Sequence, residues 1–216
     1  MSHYFTNDKI KSEEKIIKAK INNNEFSYIV DNGVFSKKGL DYGTRSLLEN
    51  IDIKQIKGNV LDFGCGYGPI GIYIAKTTKA NVDMVDINER SLKLTKKNIK
   101  LNQVSANVFK SDIYENVTKK YDYIITNPPI RVGKTILYKI LFEAKKHLTK
   151  NGIMCLVVNK NQGAKKLMND LAKEYKVTLL KKNKGFYIIK CENILTIWNK
   201  QFIIINWRHI LFSCIC

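Results

Sequence analysis

The sequence lacks the features that mark membrane-spanning, secreted and fibrous proteins. No segment reaches the ~20 apolar residues that cross a bilayer, and the charged start Met1–Lys20 has no apolar signal-peptide core. Proline is scarce, with 3 residues, while 44% of the chain is hydrophobic, which excludes collagen-like and disordered chains. We therefore expect a folded protein of the cytoplasm that makes no membrane contact.

Cysteine and histidine do not occur in the patterns that bind metal. The 5 cysteines are odd in number and form no C-x-x-C pair, and no histidine cluster accompanies them. The sequence thus predicts no metal site and no disulfide framework, and free thiols fit the reducing cytoplasm.

Acidic residues are few, so the chain is strongly basic. The 37 lysines and arginines against 19 aspartates and glutamates give a formal charge of +18, which favours partners that carry phosphate, above all nucleic acid. A compositional bias toward lysine is the alternative, because only 4 of the basic residues are arginine. The lysines that would contact RNA, or else form a solvated helix face, are Lys93, Lys96, Lys97, Lys100, Lys165 and Lys166.

The length of 216 residues accommodates one α/β domain with a full core and is too short for two ordinary domains. We expect a lead-in over residues 1–50 that packs on the catalytic domain, the catalytic domain over residues 51–191, and an apolar tail over residues 192–216 to which no function is assigned. We expect the protein to be a monomer.

Strand and helix patterns alternate along the chain. Strands are expected at Phe26–Val30, Asn59–Phe63, Val82–Val85, Ala106–Phe109, Tyr121–Thr126, Ile153–Val158, Lys176–Leu180 and Phe186–Lys190. Helices are expected over residues 44–50, 69–76, 89–101, 134–148 and 163–174, with Gly152 breaking the chain. Such alternation predicts an α/β fold with a mostly parallel sheet and an antiparallel strand at its C-terminal end.

A glycine loop follows the first strand of the repeating pattern. Gly64-Cys65-Gly66-Tyr67-Gly68 separates that strand from a helix beginning at Pro69, so backbone amides can approach a ligand closely. Asp86 ends the next strand about 20 residues later, where a carboxylate accepts hydrogen bonds from ribose hydroxyls. Asp112 is a candidate for contact with an adenine ring, or a polar turn residue. Together these features indicate an adenosine-type ligand, whereas the glycines alone also fit a structural turn or a dinucleotide site.

Asn127-Pro128-Pro129 stands at the carboxyl end of the strand Tyr121–Thr126, where open α/β sheets bind ligands. An exocyclic amine is a poor nucleophile because its lone pair is delocalised into the ring, and acceptors for both of its hydrogens localise that pair. The Asn127 side-chain oxygen and the Pro128 carbonyl are the candidate acceptors, on a backbone that two prolines fix. Asn-Pro-Pro alone also fits a rigid strand exit. Combined with the glycine loop and Asp86, it predicts methyl transfer from S-adenosylmethionine, in which alignment and electrostatics replace a strong base.

The acceptor is not specified by these residues alone. A guanine or adenine amine in nucleic acid and a glutamine amide in protein are all planar amines that fit. A non-catalytic rRNA-binding assembly factor would keep the same fold, but intact Asn127 and Asp86 argue against it. A nicotinamide oxidoreductase would leave Asn127-Pro128-Pro129 without a task.

Three motifs together resemble those of the RsmC-like class I methyltransferases, which act on guanine N2 in small-subunit rRNA. They are Asp62-Phe63-Gly64-Cys65-Gly66-Tyr67-Gly68, Val85-Asp86-Ile87-Asn88 and Asn127-Pro128-Pro129-Ile130-Arg131-Val132-Gly133-Lys134. The leader is similar too, at His3-Tyr4-Phe5, Gly33-Val34-Phe35-Ser36 and Asp41-Tyr42-Gly43-Thr44. The resemblance implies a seven-stranded Rossmann-like sheet, S-adenosylmethionine as donor, and ribosomal RNA or the small ribosomal subunit as partner.

The resemblance also implies a role for each motif position. Donor contacts are expected from Asp62, Gly64, Cys65, Gly66, Gly68, Asp86, Ile87, Asp112, Ile113 and Asn127. Catalysis is expected from Asn127, Pro128 and Pro129, and substrate contacts from Ile130, Arg131 and Lys134. Two features depart from the family: larger members carry a second, degenerate domain before the catalytic one, and Ile130 replaces a frequent aromatic, so it would pack on a base without π stacking.

Overall fold

The computed structural model describes residues 11–36, 39–129 and 132–194. Its strands are β1 (Lys15–Ile21), β2 (Asn24–Val30), β3 (Asn59–Phe63), β4 (Asn81–Asp86), β5 (Asn107–Lys110), β6 (Tyr121–Thr126), β7 (Leu148–Asn159), β8 (Lys176–Asn183) and β9 (Phe186–Glu192). Its α-helices are α1 (Tyr42–Asn50), α2 (Pro69–Thr77), α3 (Glu89–Leu101), α4 (Lys134–His147) and α5 (Ala164–Leu171).

β3 to β9 form a seven-stranded sheet in the order β5-β4-β3-β6-β7-β9-β8. Neighbours from β5 to β7 are parallel, and β9 is antiparallel to both β7 and β8. Lys184 and Gly185 join β8 to β9 with φ values of 43° and 85°, because a two-residue hairpin turn needs positive φ at both positions. The α/β class, the mostly parallel seven-stranded sheet and its antiparallel C-terminal strand are confirmed.

Helices cover both faces of the sheet and bury two apolar layers. The β1–β2 hairpin lies on one face with α1, α2 and α3, and its Phe26 and Tyr28 are almost fully buried there. The second layer lies under α4 and α5, where Leu141 is fully buried. Adjacent residues of β3, Val60 and Leu61, enter opposite layers, so apolar side chains are buried on both faces of this central strand.

The strand β1 falls in a segment to which the sequence patterns above assign no strand. Ile17, Ala19 and Ile21 alternate with polar residues, and Ala19 and Ile21 are buried by the hairpin. This period of two is the signal of a half-buried strand. The lysines between the apolar residues make the segment look like a charged leader and mask that signal.

The prediction that Gly152 breaks the chain is wrong, because Gly152 lies inside β7. The pairing of β6 with β7 shifts register between Tyr121 and Tyr123, as at a β-bulge. A Cβ atom at Gly152 would lie 2.9 Å from the Tyr121 carbonyl oxygen. Glycine is therefore needed for close backbone approach within an irregular strand, rather than for ending one.

Three stretches with sequence predictions fall outside the described residues. They are the start of the lead-in over residues 1–10, which contains His3-Tyr4-Phe5, the pair Ile130 and Arg131, and the apolar tail from residue 195 onward. In the part of the chain that is described, no helix is long and apolar enough to cross a membrane.

The strand order reverses beside β3, and this reversal positions the site. β4 and β6 flank β3 and run parallel to it, so the carboxyl ends of all three strands meet at one edge. The Thr126 hydroxyl donates to the Phe63 carbonyl at 2.9 Å and ties the ends of β6 and β3 together. Ligands of open α/β sheets bind in the crevice at such a switch point.

Candidate active site

The glycine loop between β3 and α2 has a backbone that favours glycine at three positions. Gly64, Gly66 and Gly68 have φ values of 69°, 58° and 97°. A Cβ atom would meet nothing within 4 Å at Gly64 or Gly66, whereas at Gly68 it would lie 3.0 Å from Met84 and Ile72 side chains. The first two glycines therefore leave room for a ligand, while Gly68 permits tight packing of α2.

Asp86 at the end of β4 is hydrogen-bonded to the glycine loop. Its Oδ2 accepts from the Gly66 amide at 2.8 Å, and its Oδ1 accepts from the Asn88 amide at 2.8 Å. Burial raises the pKa of Asp86, and these backbone hydrogen bonds oppose that rise. The carboxylate thus fixes the loop and remains partly exposed at its rim.

Asp62, two residues before the loop, is a fully buried carboxyl group. Its Oδ2 accepts from the Gly71 amide at 2.8 Å, but its Oδ1 is buried with no hydrogen-bond partner among the described residues. Burial, opposed by the hydrogen bond from the Gly71 amide and assisted by the nearby charge of Asp86, raises the pKa of Asp62 to about 7. Together with the open face of the loop, this unsatisfied oxygen suits a ligand that carries an ammonium group.

Asn127 follows β6, and two side chains from the segment around α1 hold its amide. Its Nδ2 donates to Asp41 Oδ2 at 3.0 Å and to Thr44 Oγ1 at 2.9 Å. A carboxylate can only accept, so the amide nitrogen faces Asp41 and the Asn127 Oδ1 faces away from it. The amide orientation is therefore fixed by residues 83 and 86 positions away in the sequence.

Asp41 itself is fixed by the start of α1. It is the N-cap residue, and its Oδ2 also accepts from the Thr44 amide at 2.9 Å. Burial raises the pKa of the Tyr67 hydroxyl. The nearby charge of Asp41 raises this pKa as well, because a negative charge disfavours ionisation of the hydroxyl. Tyr67 belongs to the glycine loop, so the loop lies near Asp41, the residue that holds the Asn127 amide.

A sequence profile described as Methyltransferase small domain matches residues 25–190. The chain belongs to the methyltransferase small domain family. The matched range runs from β2 to β9 and includes every motif that builds the site.

Relatives of this family match different shares of the chain. YbxB of Bacillus subtilis, an uncharacterized protein, is 35% identical over 201 residues, which are 90% of this chain and 100% of YbxB. Ribosomal RNA small subunit methyltransferase C of Haemophilus influenzae is 39% identical over 150 residues, which are 67% of this chain and 45% of that protein. The chain thus corresponds to less than half the length of the latter relative.

Solved methyltransferases share the fold. The T. thermophilus 16S rRNA N2 G1207 methyltransferase (RsmC), solved with AdoMet and guanosine, has a TM-score of 0.77 and 26% identity, and the match covers 85% of this chain and 52% of that one. A ribosomal protein L11 methylase from Lactobacillus delbrueckii subsp. bulgaricus has a TM-score of 0.63 at 21% identity, covering 71% of this chain and 79% of that one. The second likeness shows the fold alone.

The remaining predicted positions of this methyltransferase family member lie around the same edge. Ile87 directly follows Asp86, and Asp112 is exposed on the loop after β5 beside the half-buried Ile113. Cys65 turns inward, with its Sγ 3.8 Å from Thr95 Oγ1, so its side chain faces the core. The predicted acceptor-side residues described here are Pro128, which is buried, Pro129, which is half-buried, and Lys134, which is exposed at the start of α4.

Asp41 and Thr44 are candidates for positioning Asn127, a role that the sequence analysis did not predict. Asp41-Tyr42-Gly43-Thr44 has the spacing of a helix N-cap, and capping is the role that the sequence alone suggests. The contact with Asn127 depends on tertiary structure, since α1 and the end of β6 are distant in the chain. The one local signal is the position of the segment at the start of α1, within the leader that resembles the family.

The buried Asp62 predicts an unusual dependence of stability on pH. The folded state holds its proton more tightly than the unfolded chain, whose aspartates titrate near pH 3.9, so stability decreases as pH rises through about 4 to 7. Asp62→Asn removes the titration and keeps an acceptor for the Gly71 amide. We expect the difference in melting temperature, Asp62→Asn minus wild type, to be more positive near pH 8 than near pH 5, with both proteins measured without ligand. A relative melting temperature that does not change between these pH values would contradict the raised pKa.

Proposed function

We propose that this protein is an S-adenosylmethionine-dependent methyltransferase that acts on the N2 amine of guanine in small-subunit rRNA. The observation that carries the proposal is the Asn127 amide, whose nitrogen is held by Asp41 and Thr44. Its oxygen therefore faces away from them at the switch point of the sheet, beside the glycine loop. This is the geometry of a fixed acceptor for an amine hydrogen.

The donor is proposed to bind along the glycine loop, at the positions that the family resemblance implies. S-adenosylmethionine supplies a methyl group on a positively charged sulfur, together with an ammonium group and a ribose. The buried Asp62 Oδ1 suits the ammonium group, and Asp86 suits the ribose hydroxyls. The other donor contacts proposed from the motifs are those of Gly64, Cys65, Gly66, Gly68, Ile87, Asp112, Ile113 and Asn127.

The acceptor amine is proposed to lie against Asn127 and Pro128. Asn127 Oδ1 accepts one hydrogen of the amine and the Pro128 carbonyl accepts the other, which localises the lone pair toward the methyl carbon. As the new nitrogen–carbon bond forms, the carbon–sulfur bond breaks and its electrons stay on sulfur, and the amine proton leaves to water. Pro129 keeps this segment rigid, so catalysis rests on alignment and on preorganised acceptors.

Asp41 and Thr44 are proposed to position Asn127 for this role. An unrestrained amide can present its nitrogen instead of its oxygen, and the nitrogen donates hydrogen bonds where an acceptor is required. The Asp41 carboxylate, which can only accept, excludes that orientation, and the Thr44 hydroxyl accepts a second hydrogen bond from the same nitrogen. Asp41 is in turn held by the first turn of α1, so the orientation does not depend on a mobile side chain.

The choice of rRNA is supported by the net charge of +18 and by the Haemophilus influenzae and T. thermophilus relatives, whose names give rRNA as substrate. The Ile130, Arg131 and Lys134 segment that follows the prolines is the proposed neighbour of the target base. We further propose that the protein acts in the cytoplasm, as a monomer, and that its reaction needs no metal ion.

The test is methyl transfer by the purified protein to competing acceptors. Small-subunit rRNA from cells lacking the gene, duplex DNA and a translation factor are each incubated with labelled S-adenosylmethionine. We expect label in the rRNA, recovered as N2-methylguanosine after digestion to nucleosides. Label in N6-methyladenine of DNA or in a glutamine side chain would reassign the acceptor, and no label in any acceptor would favour a non-catalytic assembly factor.

A further inference from the structure

We propose that RNA next to the target base docks on a basic rim made of Tyr42, Lys160 and Lys184. The rim lies on the β7–β8 side of Asn127, at the same edge of the sheet. This inference rests on the proposed function and names the surface that would bind the RNA. It replaces the lysines of α3 as the expected RNA contacts.

An unbroken series of contacts connects Asn127 to the rim. Asn127 bonds to Asp41, and the next residue, Tyr42, donates its hydroxyl to Asn183 Oδ1 at 2.9 Å. Lys184 Nζ lies 5.3 Å from the centre of the Tyr42 ring. The hairpin turn that carries Lys184 is therefore attached to the segment that holds the proposed catalytic amide.

Lys160 joins the rim through the same turn. Its backbone amide donates to the Gly185 carbonyl at 2.7 Å, and its Cε lies 3.7 Å from where a Cβ atom of Gly185 would be. β7, which Lys160 follows, is the direct neighbour of β6, and the turn at Lys184 joins the two strands beyond β7. The rim therefore begins one strand away from β6, at the end of which Asn127 lies, and ends three strands away, with neighbouring strands about 4.8 Å apart.

The positive charge of the rim is not compensated within the described structure. Lys160 and Lys184 are exposed, and neither forms an ion pair with a described residue. The segments that build the rim and hold Asn127 are residues 41–44, 127–129, 159–164 and 183–186. They contain one acidic residue, Asp41, whose carboxylate already accepts hydrogen bonds from Asn127 and from the Thr44 amide. Of the lysines named from the sequence, Lys97 pairs with Glu14 at 2.5 Å and Lys166 lies 3.7 Å from Asp170, whereas Lys96 and Lys100 form no ion pair with a described residue.

The chemistry of the rim suits an unpaired RNA strand. A guanine amine can reach Asn127 only when the base leaves its stack, so the adjoining nucleotides are single-stranded or splayed. Such RNA is recognised by cationic side chains along its phosphates and by aromatic faces for its bases. The half-exposed ring of Tyr42, packed 5.7 Å from Phe186 and lying beside Lys184, provides such a face.

The test compares two charge-matched double variants. Lys160→Gln/Lys184→Asn removes the rim charges, and asparagine suits the positive φ of residue 184 before Gly185. Lys96→Gln/Lys100→Gln removes two exposed α3 lysines that, like the rim pair, form no ion pair with a described residue. Binding to unmodified small-subunit rRNA is measured across salt concentrations, and S-adenosylmethionine affinity is measured on the same preparations to verify folding.

The rim variant should bind rRNA about 10- to 100-fold more weakly at low salt and lower the salt slope by about 1.4 to 1.8, the release expected for two phosphates. The α3 variant should match wild type. A rim variant with the wild-type slope, or equal losses in both variants, would overturn the rim while leaving the proposed function intact. Wild-type protein that neither binds nor methylates rRNA would instead overturn the proposed function.

Discussion

Asn127→Ala is expected to slow methyl transfer to rRNA about 100- to 1000-fold, the usual effect of removing one preorganised polar partner of a transition state. S-adenosylmethionine affinity should change little, because Asn127 is only one of the proposed donor contacts, and Asp62, Asp86 and the glycine loop are proposed to carry most of the donor binding. An interaction made chiefly in the transition state lowers turnover and leaves ground-state binding intact. Single-turnover methyl transfer, with donor binding measured by calorimetry on the same preparation, separates the two effects.

Asn127→Asp and its combination with Asp41→Asn test the orientation of the amide. From the acceptor role alone, Asn127→Asp should retain partial activity. Its second oxygen, however, would face Asp41 where Asn127 Nδ2 now lies at 3.0 Å, and two carboxylates at that distance cannot both ionise without cost.

We therefore expect low activity from Asn127→Asp near neutral pH and recovery in Asp41→Asn/Asn127→Asp, which restores one amide and one carboxylate. Asparagine caps a helix about as well as aspartate, so α1 should be retained. Wild-type turnover by Asn127→Ala would refute the catalytic role. Loss of donor binding in Asn127→Ala would make Asn127 a pocket residue, and no recovery in the double variant would argue against positioning by Asp41.

Asp86→Ala should weaken S-adenosylmethionine binding by about 1.5 to 3 kcal/mol, which is roughly a 10- to 150-fold increase in Kd. The loss has two sources. The proposed hydrogen bonds to ribose disappear, and the Gly66 amide loses the acceptor that it reaches at 2.8 Å. Asp86→Asn is the matched control, because it keeps an acceptor for one of the two backbone amides and should lose less affinity. Calorimetry that shows unchanged affinity for Asp86→Ala would contradict the assignment.

The features predicted correctly are those that local sequence determines. β3, the glycine loop and α2 follow one another in the chain. The loop needs a positive φ at residue 66, which glycine adopts most easily. The end of β6 at Thr126 follows from the fixed backbone of the two prolines. Because parallel strands bring their carboxyl ends to one edge, these local predictions also place the end of β4, which carries Asp86, and the end of β6, which precedes Asn127, at the same edge of the sheet.

The features missed depend on contacts between distant segments. No spacing in the sequence joins Asp41 to Asn127, and the isolated Asp41 looks like an ordinary helix cap. Likewise, a lysine-rich composition gives the sign of the charge but not which lysines are already paired, as Lys97 is with Glu14. The burial of Asp62 with one unsatisfied oxygen is visible only once the layer around it is packed.

The most direct test of the central claim is the nucleoside composition of small-subunit rRNA from cells that lack this gene. Mass spectrometry should show the loss of one N2-methylguanosine, its return when the wild-type gene is restored, and no return with Asn127→Ala. An unchanged amount of N2-methylguanosine, or full restoration by the Asn127→Ala variant, would contradict the proposed reaction and the role of its Asn127 amide.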